Sequence, residues 1–513
     1  MKKILFIFIV IVPFLQVCSA KNGSNIDQQT KRPNVLLIYT DDVGYGDIGI
    51  YGGEIPTPNI DALAESGIQF TNAYASSATC TPSRFSLLTG EYSWRKPGRG
   101  VAPGDAPALI QPGKETLPSV MKRAGYRTGV IGKWHLGLGG DEGPDWNGKI
   151  TPGPLEIGFD YSFIIPATGD RVPTVFVENH HIVGLDPDDP IEVSFSEKIG
   201  DRPTGKEHPE QLKMMWTQGH NHSIINGISR IGYMKGGESA LWKDEDFAGT
   251  FVKKAQSFIQ NRDAKDPFFL FFSTHDIHVP RVPHERFAGT TGHGPRGDVI
   301  AQLDWTVGAL MDYLEQEDLR DNTIVIFSSD NGPVLDDGYA DEAAEKLGLH
   351  DPFSNLRGGK YSAFEAGTKV PFIISWPAEI PPGQTSEALF SQVDLLASFA
   401  AFNKTGFDAS EAMDSQNHWD VLMGKTTQGR AAIVQEAIGR TLSYVTKDGY
   451  KYISPSNRGP LISWGVNIET GFAPAPQLYN LNEDPQEIRN IAEKHPELVS
   501  QLEKELNKII NKQ

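Results

Sequence analysis

Short apolar runs alternate with amphipathic stretches through most of this chain. The runs at residues 35–39, 268–272, 323–327 and 370–375 have the length and the β-branched or aromatic content of buried strands, and a weaker run lies at 128–131. Between them the apolar positions follow a helical period, at residues 59–66, 116–124, 244–261 and 299–316. This alternation predicts an α/β fold with a large central, mostly parallel sheet flanked by helices.

The pattern changes after residue 425. We expect a smaller C-terminal α+β domain at residues 426–513, with an antiparallel sheet and a helix, after a larger domain at residues 21–425. The short runs there have the spacing of hairpin strands and are followed by one helical stretch; they lie at residues 431–435, 442–446, 451–454, 477–480 and 496–511.

Residues 1–20 have the pattern of a secretory signal peptide. A basic start precedes an apolar run at residues 4–12, and small residues permit cleavage after Ala20. The run is too short to span a membrane and no other long apolar run occurs, so we expect no membrane span and a secreted or periplasmic protein. A lipid anchor on Cys18 is the alternative, but Val17 directly before it fits that pattern poorly.

The chain is acidic, with 47 lysines and arginines against 65 aspartates and glutamates and a formal net charge of −18. Such a surface repels polyanions, which argues against nucleic acid as a partner. Any site for an anionic substrate must therefore be a local concentration of Arg and Lys side chains, a metal ion and helix termini.

Polar residues follow directly after four of the predicted strands. Because ligands of open α/β sheets bind beyond the carboxyl ends of the strands, four such clusters predict a single site along one sheet edge. The clusters are Asp41 and Asp42, Lys133 to His135, His275 and His278, and Asp330 and Asn331.

Two cysteines occur, Cys18 and Cys80, so a mature chain without Cys18 has no internal disulfide. Cys80 begins the sequence Cys-Thr-Pro-Ser-Arg-Phe-Ser-Leu-Leu-Thr-Gly, in which Pro82 suits the first turn of a helix. That turn would place the cysteine among backbone N–H groups that favour anions. A small buried thiol is one alternative, and a redox or hydrolase nucleophile is another, although no resolving cysteine is available.

This segment resembles the signature C-x-P-S-R-x-x-x-L-T-G of the sulfatase family, whose members hydrolyse sulfate esters. The resemblance implies that a formylglycine-generating maturation enzyme oxidises Cys80 to formylglycine (3-oxoalanine), the catalytic aldehyde. It also implies the family's mechanism, in which one hydroxyl of the hydrated aldehyde attacks sulfur. The other hydroxyl then loses its proton, so that the aldehyde re-forms and sulfate leaves.

Two segments around Asp41 and Asp330 resemble the family's metal-binding segments, although either motif alone would more often be a turn. The set of carboxylates and one amide oxygen suits Ca²⁺; Mg²⁺ would demand tighter octahedral geometry, and zinc is disfavoured because His and thiolate are missing from the set. The resemblance assigns one ion to Asp41, Asp42, Asp330, Asn331 and the formylglycine from Cys80.

The remaining catalytic residues also follow from the resemblance. The motif G-K-W-H-L-G assigns Lys133 to the sulfate and the formylglycine, and His135 to a hydroxyl of the hydrate. The motif H-x-P makes His278 the general acid for the departing alcohol, which histidine suits near neutral pH. Arg84 is expected to pair with the metal-ligand carboxylates, and Lys360 is expected to bind the sulfate.

Residues 160–235 depart from the general family pattern and are expected to determine specificity. Asp170 and Arg171 could form bidentate hydrogen bonds with neighbouring sugar hydroxyls, and an ordinary surface ion pair is the alternative. His220 and His222 add polar groups to the same region. Polar loops favour a sulfated glycan over an aryl ester, and the segment resembles that of bacterial sulfatases acting on 6-sulfated galactose or N-acetylgalactosamine.

Two other functions stay open at this point. A phosphoester or phosphonate hydrolase of the same superfamily would share the sheet and the metal site, although two-metal phosphatases need further Asp and His ligands. A non-catalytic glycan-binding protein would keep the fold without turnover.

Overall fold

The computed structural model describes Met1 and residues 32–263, 265–462 and 467–512. The predicted signal peptide, its cleavage position and Cys18 therefore lie outside the described residues. Residues Pro33–Gln513 form one compact unit. Within the described residues, no helix is both long and apolar enough to cross a membrane.

The described residues contain twenty strands, most of them short. In chain order they are β1 Asn34–Thr40, β2 Ile68–Phe70, β3 Ala73–Tyr74, β4 Arg127–Lys133, β5 Tyr161–Ile165, β6 Val177–Glu178, β7 His181–Ile182, β8 Glu192–Ser194, β9 Ile224–Ile225, β10 Ile228–Ser229, β11 Tyr233–Lys235, β12 Phe268–Ser273, β13 Thr323–Ser329, β14 Phe372–Ser375, β15 Gln384–Ser386, β16 Phe390–Ser391, β17 Ala432–Glu436, β18 Leu442–Thr446, β19 Tyr450–Ile453 and β20 Gln477–Asn480.

Eight α-helices accompany the strands in the same part of the chain. They are α1 Pro58–Glu65, α2 Cys80–Thr89, α3 Leu117–Arg123, α4 Phe247–Gln260, α5 Gly294–Gln316, α6 Leu395–Phe402, α7 Trp419–Leu422 and α8 Pro496–Ile510.

Ten strands form the main sheet, in the order β15-β2-β14-β13-β1-β12-β4-β5-β6-β7. Its centre, from β13 through β1 and β12 to β4 and β5, is parallel. By contrast, β14 runs antiparallel to both β13 and β2. The predicted fold class is confirmed, with antiparallel strands on both sides of the parallel centre.

Both faces of the central strands are covered, which is why these strands are continuous apolar runs in the sequence. Alternate residues of β1 belong to different cores. Val35, Leu37 and Tyr39 share one core with α2, α3 and α6, whereas Leu36 and Ile38 share the other with α1, α4 and α5. Helices on both faces leave the carboxyl edge of the sheet to the loops.

The smaller sheet has the antiparallel order β17-β18-β19-β20 and packs against α8, which confirms the predicted C-terminal elements. Its core includes Tyr92 and Val393 from the preceding part of the chain. The end of β17 also bonds to the segment before α2, since the backbone N–H of Ala78 donates to the carbonyl of Glu436 over 2.7 Å. The boundary between residues 425 and 426 stays a prediction.

Candidate active site

Four neighbouring parallel strands, β13, β1, β12 and β4, carry polar clusters at their carboxyl ends. Asp41 directly follows β1, and Asp330 directly follows β13. Because the strands are parallel, both carboxylates reach the same edge, where the N–H of Asp330 donates to the carbonyl of Thr40 over 3.1 Å. The sheet therefore assembles these clusters into one site.

Three carboxylates and one amide form a buried cluster of oxygen atoms at this edge: Asp41, Asp42, Asp330 and Asn331. Asn331 Nδ2 donates to Asp42 Oδ1 over 2.7 Å. Among the described residues, Asp41 Oδ1 and Asn331 Oδ1 are buried and accept no hydrogen bond. Buried acceptors without a partner are rare, so two of them in an all-oxygen set fit a hard cation such as Ca²⁺.

The electrostatics of the cluster also fit a cation. Burial, followed by the charge of Asp330, raises the pKa of Asp41 well above its usual range. Burial raises the pKa of Asp42 as well, although Lys360 opposes the shift. A divalent cation would offset this repulsion between carboxylates.

Two buried cations balance part of the negative charge. Arg84 Nε donates to Asp330 Oδ2 over 2.8 Å. Lys133 forms a close ion pair with Asp41, and its Nζ lies 4.0 Å from Asp330 Oδ2. The two cations thus lie against the predicted metal ligands, in a fully buried arrangement.

A third cation, Lys360, lies between two carboxylates. Its Nζ is 2.8 Å from Asp42 Oδ2 and 2.9 Å from Asp337 Oδ2. Burial alone would lower the pKa of Lys360, but the charges of Asp337 and Asp42 raise it well above its usual range. Lys360 is therefore positively charged at neutral pH.

Cys80 is the first residue of α2 and is 2 % exposed. Its Sγ lies 3.3 Å from His135 Nδ1, and His135 Nε2 lies 2.9 Å from the carbonyl of Ala102. Because that carbonyl can only accept, Nε2 carries the hydrogen and Nδ1 is the acceptor on the Cys80 side. Burial raises the pKa of the thiol, although Lys133 and Lys360 oppose the shift.

His278 and His275 follow β12 and differ in their contacts. His278 Nδ1 donates to the carbonyl of Val279 over 2.6 Å, which leaves Nε2, 3.9 Å from Asp42 Oδ2, as the other ring nitrogen. His275 Nε2 instead accepts from the N–H of Gly169 over 3.0 Å. His275 thus holds a neighbouring loop, and His278 is the histidine that lines the cavity beside Cys80.

Two of the site residues predicted from the sequence adopt a left-handed backbone conformation without being glycine: Asp42, with φ 60°, and His135, with φ 56°. Such conformations cost on the order of 1–3 kcal/mol each and persist where the surrounding structure imposes them. The packing around the strand ends therefore fixes both side chains in position.

A cavity of about 300 Å³ opens above Cys80. Five residues assigned from the sequence lie in its lining with the cysteine: Asp170, Arg171, His220, His278 and Lys360. The other lining residues are Val101, Gln218, Gly219, Ile231, Asp337, Tyr361 and Ile438. The cavity therefore joins the strand-end residues to the loop that was expected to determine specificity.

Asp170, Arg171 and His220 form one hydrogen-bonded group. Arg171 Nη1 lies 2.8 Å from Asp170 Oδ1, and His220 Nε2 lies 3.0 Å from Asp170 Oδ2. Burial alone would raise the pKa of Asp170, but Arg171 and the hydrogen bond from His220 hold it well below its usual range. The pair is thus part of the cavity lining, where ionised Asp170 orients its two partners.

His222 does not line this cavity, as far as the described residues define it. Its Nδ1 accepts from the N–H of Gly232 over 2.8 Å, and its ring stacks on Tyr233 with 4.4 Å between centroids. The structure therefore separates His222 from His220, although two positions separate them in the sequence.

Sequence reasoning missed Asp337, Tyr361 and Ile438. Tyr361 follows Lys360 directly, which was a usable signal, but Asp337 and Ile438 stand in no recognisable motif. Backbone hydrogen bonds position them: the N–H of Tyr361 donates to Ala78 over 2.7 Å, and the N–H of Ile438 donates to Tyr361 over 3.0 Å. The C-terminal region thus supplies part of the cavity.

Comparison with protein families matches two parts of the chain. The family model described as Sulfatase matches residues 33–402. A second model, described as the C-terminal part of N-sulphoglucosamine sulphohydrolase, matches residues 359–512. The two matches overlap, and together they cover almost all of the described residues.

Two curated relatives are similar over most of the chain. An N-acetylgalactosamine-6-O-sulfatase of Bacteroides thetaiotaomicron is 53% identical over 499 residues, which cover 97% of each chain. The N-acetylgalactosamine-6-sulfatase of Homo sapiens is 30% identical over 411 residues, covering 78% of this chain and 66% of that protein.

Two solved structures show how far the fold extends. One, from work on glycosaminoglycan metabolism by Bacteroides thetaiotaomicron, has a TM-score of 0.92 and 53% identity and covers 94% of this chain and 100% of that one. The phosphonate monoester hydrolase of Agrobacterium radiobacter has a TM-score of 0.55 and 17% identity, covering 93% and 95%, and shares the fold alone.

Proposed function

The chain belongs to the sulfatase family, whose members are sulfuric ester hydrolases. We propose that it removes 6-O-sulfate from N-acetylgalactosamine or galactose residues of glycans. The reaction would use an aldehyde made from Cys80 and one calcium ion. One observation carries the proposal: Cys80 lines the same cavity as Lys360, His278 and the Asp170–Arg171 pair.

The calcium ion would be held by Asp41, Asp42, Asp330, Asn331 and the residue derived from Cys80. When bound, the ion would stabilise negative charge on the sulfate oxygens, and the hydrated aldehyde would supply the attacking hydroxyl. The fit rests on the two buried oxygen atoms without a partner and on the all-oxygen ligand set.

The chain's own cations would hold the sulfate group. Lys360 reaches the cavity directly, and Lys133 and Arg84 lie behind it against Asp41 and Asp330. Cations preorganised in a buried site stabilise charge more strongly than in water. They also supply the local positive potential that an acidic protein needs to bind an anion.

His278 would transfer a proton to the departing alcohol oxygen. Its Nδ1 donates to Val279, so Nε2 is the atom that would carry the transferred proton. His135 would accept from a hydroxyl of the hydrate, because its Nδ1 already faces Cys80 Sγ at 3.3 Å. Its Nε2 bond to Ala102 keeps the ring in that orientation.

The sugar would be recognised by the group formed by Asp170, Arg171 and His220. A carboxylate and a guanidinium side by side can accept from and donate to neighbouring hydroxyls of a pyranose. Val101, Ile231 and Ile438 add apolar surface to the same cavity, which suits the C–H faces of a sugar ring. Two relatives of this chain are named as sulfatases that act on N-acetylgalactosamine at O6, and this similarity supports the 6-position for the sulfate ester.

Maturation and export belong to the same proposal. A signal peptide at residues 1–20 would direct the protein to the periplasm or the medium, and a formylglycine-generating enzyme would oxidise Cys80. All residues of α2 are buried and Cys80 is 2 % exposed. The maturation enzyme would therefore have to act before α2 packs into the core.

A phosphoester or phosphonate hydrolase is the nearest rival, because such an enzyme shares this fold. Among the described residues, one cluster of His, Cys, Asp and Glu side chains could bind a metal, and it contains two of the proposed calcium ligands, Asp41 and Asp42, next to the proposed acid His278. A single cluster favours one ion over a two-metal phosphatase site. A non-catalytic glycan-binding protein would not need buried cations beside Cys80, so their presence there favours an enzyme.

A panel of sulfated sugars tests the proposal. We expect N-acetylgalactosamine 6-sulfate to be cleaved about a hundredfold faster than the 4-sulfate, because a fixed polar wall orients only one hydroxyl pattern. The corresponding 6-phosphate should be a poor substrate, and Cys80→Ala should abolish turnover. Faster cleavage of the phosphate would favour the rival enzyme, and no turnover by aldehyde-bearing protein would favour the binding protein.

Peptide mass spectrometry tests the modification separately. Active protein should carry an aldehyde at position 80, seen as replacement of sulfur and two hydrogens by oxygen. An unmodified Cys80 peptide from fully active enzyme would disprove the formylglycine assignment.

A further inference from the structure

Asp337 is a carboxylate in the cavity that neither the metal cluster nor the sugar-recognition group uses. It is 7 % exposed and lines the cavity with Cys80 and Lys360. Its Oδ2 lies 2.9 Å from Lys360 Nζ, and the hydroxyl of Tyr361 lies 3.0 Å from both of its oxygens. Both oxygens therefore already have partners from the protein.

These contacts give Lys360 two negative neighbours, Asp42 and Asp337. Asp42 belongs to the metal cluster, so its charge would be offset by the ion. Asp337 is not one of the predicted metal ligands, so the ion would not offset its charge, and that charge lowers the positive potential that Lys360 offers to an anion in the cavity. A site built only for tight anion binding would gain from its absence.

The difference matters because the competing anions differ in charge. A sulfate monoester carries one negative charge, whereas a phosphate monoester carries about −1.5 to −2 at neutral pH. Inorganic sulfate, the product, carries two. A fixed carboxylate near the anion therefore disfavours phosphate esters and the product more than it disfavours the substrate.

We propose that Asp337 is a specificity-determining residue that, by pairing with Lys360 on the cavity wall, makes the site select singly charged sulfate esters over doubly charged anions. It would exclude phosphate esters and speed the release of inorganic sulfate. This role rests on the proposed function, since it concerns the charge of the same ester.

The substitution Asp337→Asn tests the role because it removes the charge and keeps the shape. The inhibition constants of inorganic sulfate and inorganic phosphate, each divided by KM for the sulfate ester, should fall by on the order of tenfold, because one unit of negative charge is removed from the wall of the cavity that the anion enters. The ratio of kcat/KM for 6-sulfate over 6-phosphate should fall similarly.

Asp336→Asn is the matched control. Asp336 is the neighbouring carboxylate, but it lines a different cavity and its Oδ1 accepts from Thr217. The same chemical change there should leave both ratios within about twofold. Asp337→Glu, which restores the charge, should retain the discrimination against phosphate.

Anion binding by the purified protein, measured by calorimetry with inorganic phosphate alone, gives a readout that does not depend on turnover. Unchanged ratios in a folded Asp337→Asn protein would overturn the inference. An equal loss of kcat/KM for the sulfate ester and the phosphate ester would also overturn it. If Asp337→Asn does not fold, loss of discrimination in Asp337→Ser would support the role, and retained discrimination would overturn it. Failure of the wild-type protein to cleave any sulfate ester would instead refute the proposed function.

Discussion

The site has a buried layer behind the cavity, which we call the floor, and a wall that lines the cavity, and the two are built in different ways. The floor consists of fully buried residues at the ends of parallel strands, which are not part of the cavity lining: Asp41, Asp42, Lys133, Asp330 and Asn331. The wall comes from loops and lines the cavity; Arg171 is partly exposed, whereas the other three residues are buried: Asp170, Arg171, His220 and Asp337. Under the proposed function, the floor would carry groups that hold the metal ion and the sulfate, whereas the wall would carry groups that distinguish one sugar or one charge from another.

This division suggests how the two regions tolerate change. A buried ion pair that loses one partner leaves an uncompensated charge in a low dielectric, which costs about 3–5 kcal/mol. A wall residue borders the cavity, where water can reach the partner that is left behind, so removal of one partner should cost less there. Substitutions in the floor should therefore damage metal binding, folding and turnover together, and those in the wall should change substrate choice.

The largest effect is expected for Asp330→Ala. It removes a predicted metal ligand and the partner of Arg84, 2.7 Å from Nη2. Turnover should fall at least about a thousandfold and the free energy of unfolding by about 3–5 kcal/mol. Elemental analysis should show less than one calcium per chain; a variant that keeps both calcium and turnover would contradict the metal site.

Arg171→Ala should have a smaller and more selective effect. It leaves Asp170 without its closest cation, so kcat/KM for the sulfated sugar should fall about a hundredfold. A small aryl sulfate, which has no sugar hydroxyls, should be cleaved within about threefold of the wild-type rate. Equal losses on both substrates would show that the wall and the floor are not separable.

A buried group of charged residues away from the cavity tests whether burial alone, without any role in turnover, affects the free energy of unfolding. Lys451 Nζ lies 3.0 Å from Glu365 and 3.1 Å from Glu487. Burial raises the pKa of Glu487 from 4.5 to about 7, so within that pH window the folded protein retains a proton that the unfolded chain releases. The free energy of unfolding contributed by Glu487 therefore falls as the pH rises from about 4.5 to about 7.

Glu487→Gln should remove this dependence. Between pH 5 and pH 8, the wild-type protein should lose about 1–3 kcal/mol more unfolding free energy than the variant, measured by chemical denaturation. Activity on the sulfated sugar at pH 7 should be unchanged. If the free energy of unfolding changes with pH in the same way for both proteins, Glu487 is ionised over the whole range.

The smallest effects should come from the two histidines of the wall loop. His220→Ala removes a hydrogen bond to Asp170 and should lower kcat/KM about fivefold to tenfold. His222→Ala, a matched change two positions away, should alter it less than about twofold. A reversed order would place His222 rather than His220 at the substrate.

Much of the floor could be predicted because its positions follow from the strands themselves. Buried parallel strands are continuous apolar runs, and the polar residue that follows each run must lie at the sheet edge. Asp41 and Asp330 were placed in this way before any contact was known. The direction of β14 could not be predicted, since an apolar run does not specify which neighbour it pairs with.

The wall was less predictable because it depends on pairing between distant loops. The N–H of Thr217 donates to the carbonyl of Gly338 over 3.0 Å, and the N–H of Ala340 donates to Met215 over 2.8 Å. This pairing brings Asp337 to the cavity, and no periodicity in the sequence encodes it. In the same loop, His220 lines the cavity, whereas His222 packs on Tyr233.

The hydrogen bonds that join Ala78 to Glu436, and Tyr361 to Ile438, have a consequence for interpreting genomes. A gene shortened after codon 425 would still encode every signature motif of the family. Its product would nevertheless lack the strand that braces the cysteine segment and one side of the pocket. Intact motifs in a truncated reading frame should therefore not be counted as a working enzyme.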